Sequence, residues 1–132
     1  MIFDRENLMS LKYLGLTVAL LLPMPIYAMG YSSDYLSCVS SRSASYANCA
    51  KDEFKFQDDR VETLFKKTLV LYSGKEKKAQ KKYQKQWVKS RDQRCDEANK
   101  SVSEVYKSKY YTCALKETVN RANMLERLSF RL

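Results

Sequence analysis

The stretch QKQWVKSRDQRC, residues 84–95, pairs apolar and motif residues with lysines at helical spacing. It sits inside 75–99, a run with neither Gly nor Pro, so a helix can pass through without interruption. With Lys75 as the origin and about 100° per residue, Lys78, Lys82, Lys85 and Lys89 fall within roughly 80° of it. Tyr83, Gln84, Trp87, Arg91 and Cys95 gather on the opposite side. One face is therefore a lysine stripe and the other looks inward. Lys77 and Lys81 fall outside the stripe. Trp87 reads as a core side chain, and Gln84 as the partner of a neighbouring backbone group.

The flanking sequence supplies two more helices. Upstream, Phe54, Val61, Leu64, Phe65, Thr68 and Tyr72 recur at helical spacing. Ser45 or Asn48 is placed to cap that helix, and Gly74 to stop it. Residues 31–48 hold seven serines and three tyrosines without periodicity, and read as a loop or short helical turn. Downstream, Ser101-x-x-Glu104 has capping-box form. A third helix follows to about Leu128, with Cys113, Glu117, Arg121, Met124, Leu125 and Leu128 on one stripe. The expected fold is all-α: a small three-helix antiparallel bundle whose N-terminal arm is stapled by two disulfides.

Residues 13–22, YLGLTVALLL, carry no charge, follow Lys12, and lead through Pro23 and Pro25 to the small Ala28. This pattern is that of a cleaved signal peptide, and the apolar run is short for a span of roughly 20 residues. The expected division is 1–28 as leader and 29–132 as the helical domain, soluble in the periplasm after cleavage. All four cysteines, Cys38, Cys49, Cys95 and Cys113, lie in the second part. An even count behind a leader reads as two disulfides. Three pairings are open, and Cys38–Cys49 with Cys95–Cys113 is favoured because each bridge then closes the shorter loop. A straight third helix would carry Cys113 about 18 Å from its start, so a break near Tyr110-Tyr111 is expected to bring it back. A four-thiolate zinc site lacks any C-x-x-C pair, and the chain has no His. No metal and no cofactor is expected.

The net charge is +9, and Arg5 and Lys12 offset Asp4 and Glu6, so the surplus belongs to the domain. It favours anionic partners over nucleic acid, which an exported protein does not meet. Residues 75–89 hold seven lysines against Glu76 alone. Lys75, Lys78, Lys82, Lys85 and Lys89 are accordingly the candidate residues for an anionic partner. Catalysis has little to work with: no His, oxidised cysteines, and adjacent acids such as Asp58 and Asp59 that point to different sides of a helix. A binding protein rather than an enzyme is expected.

Two patterns are more specific than composition. They are Gln84-x-x-Trp87-x-x-x-Arg91-Asp92-x-x-Cys95 and Cys113-x-x-x-x-Thr118-x-x-Arg121-x-x-x-Leu125. In this order, behind two earlier cysteines, they resemble the LprI-type lysozyme-inhibitor family over about 38–128. The Asp-x-x-Leu-Asn-x-x-Tyr signature of that family is kept in part, as Asp58-x-x-Val61-Glu62-x-x-Phe65. The resemblance implies a disulfide-linked helical fold in the bacterial envelope. It also implies inhibition of lysozyme or a related peptidoglycan-cleaving enzyme by steric occlusion. Within the motif, Arg91, Asp92, Thr118 and Arg121 read as structural, with Asp92 pairing with an arginine to hold the second and third helices together. Animal-type lysozymes are strongly basic, so a +9 inhibitor needs an acidic face, for which Asp52, Glu53, Asp58 and Asp59 are the candidates. Two alternatives are a cationic envelope-interaction protein holding anionic lipid or polymer, and an immunity protein against a toxin.

Overall fold

Ser32 starts the first helix by accepting a hydrogen bond from the Tyr35 backbone N–H at 3.1 Å. The computed structural model describes residues 30–131 except residue 43, so the expected leader over 1–28 lies outside the described residues. Four α-helices follow in order: α1 (Ser33–Ser40), α2 (Tyr46–Thr68), α3 (Gly74–Arg94) and α4 (Glu104–Ser129). Short 3-10 turns cover Leu69–Leu71 and Glu97–Asn99. Among the described residues the fold is all-α, but with four helices where three were expected.

The fourth helix is the arm. α1 is eight residues long with no buried residue, too short to hold itself in water. Its support is tertiary. The Cys38–Cys49 disulfide ties it to α2, and Glu53 of α2 accepts hydrogen bonds from the Ser32 backbone N–H at 2.8 Å and from its hydroxyl. The second bridge, Cys95–Cys113, does not touch the arm. It joins the end of α3 to α4, which corrects the expectation of an arm stapled twice.

α2 and α4 form the main seam. Ala50, Ala114 and Ala122 are completely buried, and their small side chains let the two backbones approach closely. Leu115 and Val119 share a cluster with Ala50, and Leu125 and Ala122 share one with Val61. Partners therefore ascend together along α2 and α4. They run in opposite senses between α3 and α4, from Cys95 at Cys113 to Gln84 at Arg121. The path is up-down-up, as successive short connections dictate.

No break occurs at Tyr110-Tyr111; α4 is continuous. The geometry is met elsewhere. α3 ends at Arg94, because Asp96 takes a left-handed conformation (φ 60°) that a right-handed helix cannot include. The chain then overshoots through 97–103 before α4 turns back, so Cys113 draws level with Cys95, with 5.4 Å between their Cα atoms. Gly74, expected to close the first long helix, lies past the 3-10 turn with φ +48°, where it opens α3.

The two bridges should differ in effect. Replacing Cys95 and Cys113 by Ala removes a constraint between core helices and is expected to lower stability by about 3 kcal/mol. Replacing Cys38 and Cys49 should release α1 and shift the main transition by less than half as much. Urea unfolding followed by circular dichroism, with limited proteolysis of 31–45, checks both expectations. Equal shifts in the main transition would show that α1 belongs to the cooperative core.

Candidate functional site

The motif residues converge where α3 lies across the α2–α4 seam. Arg91 is only 3 % exposed. Its Nε donates to Asp92 at 2.9 Å, and one terminal nitrogen donates to Asp58 of α2 at 2.7 Å and to Thr118 of α4 at 3.2 Å. The guanidinium lies 4.9 Å from the Phe54 ring centre and 5.2 Å from that of Trp87. One side chain thus links three helices. Burial works against its charge, but the hydrogen bonds and fields of Asp92 and Asp58 outweigh it, so the arginine is held above its ordinary value. Thr118 donates in turn to the Ala114 carbonyl at 2.7 Å.

Asp92 does not reach across to an arginine of α4. It pairs with its neighbour Arg91 and accepts from the Tyr110 hydroxyl at 3.2 Å. Burial first, then the Asp92 charge, pushes the Tyr110 phenol upward and keeps it protonated as a donor. The carboxylate that crosses between helices is Asp58, the retained acid of the partial signature. Gln84, expected to meet backbone, accepts from Arg121 at 2.6 and 3.0 Å. Arg121 rests 5.2 Å from the Tyr83 ring centre and 5.7 Å from that of Trp87. Burial lowers its pKa, with small opposing effects from Tyr83 and Tyr72. Gln84, Trp87, Arg91, Asp92, Thr118 and Arg121 form one half-buried to buried joint. Such a joint fastens α3 across α2 and α4.

A second polar line has no counterpart in the sequence motifs. Gln57 is fully buried and donates to the Gly30 carbonyl at 3.0 Å and to Glu53 at 2.7 Å. Arg60 donates to Gln57 at 3.0 Å and pairs with Glu126 of α4 at 2.6 Å. Glu53, Gln57 and Arg60 follow each other at helical spacing along one side of α2, and that spacing was the available signal. The line fixes the chain before α1 on α2, and α2 on α4.

α1 and α3 flank α2 on opposite sides. Cys49, which holds α1, and Asp58, which holds α3, stand about half a turn apart around α2. The α1 side carries a groove of about 300 Å³, lined by Ser32, Asp34, Tyr35, Asp52, Glu53 and Phe56 beside the Cys38–Cys49 bridge. Asp34, Asp52 and Phe56 are exposed. Asp59 lies one turn beyond Phe56 on the same exposed stripe, with exposed Lys55 one turn before it. Of the acids expected to form an acidic face, Asp52 and Asp59 are free to do so. Glu53 is committed to Ser32 and Gln57, and Asp58 to Arg91. Asp34, not anticipated, takes their place.

The α3 side is the reverse. Lys75, Lys78, Lys82, Lys85 and Lys89 are all exposed. A larger hollow of about 520 Å³ lies at the start of α4, walled by Lys51, Lys100 and Lys107, but Glu97 and Glu104 neutralise two of those cations. Among the described residues no group of three or more His, Cys, Asp or Glu side chains can hold a metal ion. None of the described helices is long and apolar enough to cross a membrane.

A joint built from Trp87, Arg91, Asp92 and Arg121, between two disulfide-linked elements, is the framework a family pattern can be compared with. The family profile described as "Lysozyme inhibitor LprI" matches residues 38–125. The chain belongs to the LprI lysozyme-inhibitor family. The match begins at Cys38 of the α1 staple and ends at Leu125 in the α4 core, so this LprI-family domain spans both bridges and the whole joint. No curated protein and no solved structure is significantly similar to the chain.

Proposed function

We propose that this LprI-family protein is an exported inhibitor of lysozyme or a related peptidoglycan-cleaving enzyme, acting by steric occlusion through its α1–α2 face. The observation that carries this reading is the family match over both disulfides and the motif joint. Its surface charge supports the choice of face. A net charge of +9 opposes approach to a basic enzyme, but three exposed acids are gathered on the α1 side, with Lys55 among them. Asp34, Asp52 and Asp59 stand on the α1 side with the exposed aromatic rings of Phe56 and Tyr46, while the lysines of α3 lie on the other flank. A Lys or Arg from the enzyme entering the groove meets carboxylates and ring faces together, a combination that favours cations. No catalytic chemistry is required; the inhibitor only has to cover the glycan cleft.

A peptidoglycan turbidity assay tests the proposal, using an animal-type lysozyme and a bacterial muramidase in parallel. Lysis should slow at near-stoichiometric inhibitor with at least one of them. Undiminished lysis by both at a large molar excess would contradict the reading. Export is tested separately, by sequencing the N-terminus of the mature protein, which should begin at Met29.

A further inference from the structure

We propose that the lysine face of α3 docks the domain on an anionic lipid-headgroup surface. This inference does not depend on enzyme inhibition. Lys75, Lys77, Lys78, Lys81, Lys82, Lys85 and Lys89 crowd one helix with Glu76 as the only acid between them. Among the described residues none of the seven takes part in an ion pair; the lysines paired there are Lys66, Lys100 and Lys107, on other elements. A face shaped only for solubility gains from alternating Glu and Lys four residues apart. Here Lys78–Lys82, Lys81–Lys85 and Lys85–Lys89 repeat the same sign at that spacing, and each pair weakens the helix. The charge density therefore costs stability, and a counter-charged surface offsets that cost.

The shape selects the partner. Lys75 to Lys89 extends about 21 Å along a straight ridge. α3 is fastened from its opposite side by Gln84, Trp87 and Arg91, so the ridge is convex and unwalled. A plane touches such a ridge along its full length, whereas a single polymer chain finds no groove to lie in. Tyr83 is the only large hydrophobic of 75–89 that is strongly exposed, and it sits over Arg121 on the flank. The contact is therefore electrostatic, at headgroup level, without insertion. Because α1 and α3 flank α2 on opposite sides, a surface-bound domain still presents its acidic groove outward.

Vesicle sedimentation tests this with the mature protein. Binding to phosphatidylglycerol–phosphatidylcholine vesicles is expected at about 0.02 M NaCl and should fall more than about tenfold by about 0.3 M. Pure phosphatidylcholine should not bind. The K78Q/K82Q/K85Q/K89Q variant should lose more than about tenfold in partition while keeping its helical dichroism. The K55Q/K66Q/K67Q/K116Q variant removes the same charge from α2 and α4 and should lose less than about threefold. Equal losses in the two variants would mean that net charge alone acts, and would overturn the assignment. So would absence of vesicle binding at low salt, or preference for a soluble polyphosphate over vesicles. Slowed lysis by the stripe variant in the turbidity assay separates this outcome from the fate of the inhibitor reading.

Discussion

Arg91→Ala should lower the unfolding free energy of the oxidised protein by about 3 kcal/mol, the range for breaking a buried charge network. The substitution deletes hydrogen bonds to Asp92, Asp58 and Thr118. It also leaves a void against Phe54 and Trp87, over whose rings the guanidinium lay. Asp58 and Asp92 are partly solvated, so water recovers some of what they lose, and the effect stays below that of stranding a carboxylate in a dry core. Arg91→Lys should keep at least half of the loss. One ammonium cannot serve Asp92 from one edge and Asp58 and Thr118 from another, nor spread over two rings. Urea unfolding monitored by Trp87 fluorescence measures both variants. A loss under about 1 kcal/mol for Arg91→Ala, or full recovery by Lys, would show that the joint is incidental to α3 docking.

The double reversal Asp34→Lys/Asp52→Lys should weaken inhibition by more than about 100-fold, as two close attractive contacts become repulsive. Both residues are exposed and neither is ion-paired among the described residues, so the unfolding free energy should move by less than about 0.5 kcal/mol. The contrast carries the meaning: a binding loss without a stability loss places the contact on the α1–α2 face. Unchanged inhibition would move the enzyme-facing surface elsewhere.

Much of the architecture was legible because α2, α3 and α4 carry apolar residues at helical spacing. Opposing Trp87 to the lysines separated an inside from an outside on α3, except that Tyr83, placed inside, is half exposed beside Arg121. Loop length favoured the Cys38–Cys49 and Cys95–Cys113 bridges that the fold contains. α1 was not legible as a full helix, since a serine-rich octamer has no apolar stripe and is ordered by Glu53 and a disulfide from another helix. The break placed at Tyr110-Tyr111 was displaced to Asp96, whose left-handed conformation no hydropathy pattern records. Glu53, Gln57 and Arg60 look like surface residues until their partners, Ser32, Gly30 and Glu126, are brought to them. For the same reason Glu53 and Asp58 read as free acids, while folding commits both and leaves Asp34, Asp52 and Asp59 for the groove side.

Hydrogen exchange on the inhibitor–enzyme complex locates the surface that meets the enzyme. Amides over 31–56, around the groove, should exchange more slowly when the enzyme is bound, while those over 75–89 keep their free rates. Slowing confined to the lysine helix, with the α1 segment unaffected, would place the enzyme contact on α3 and not on the α1–α2 face.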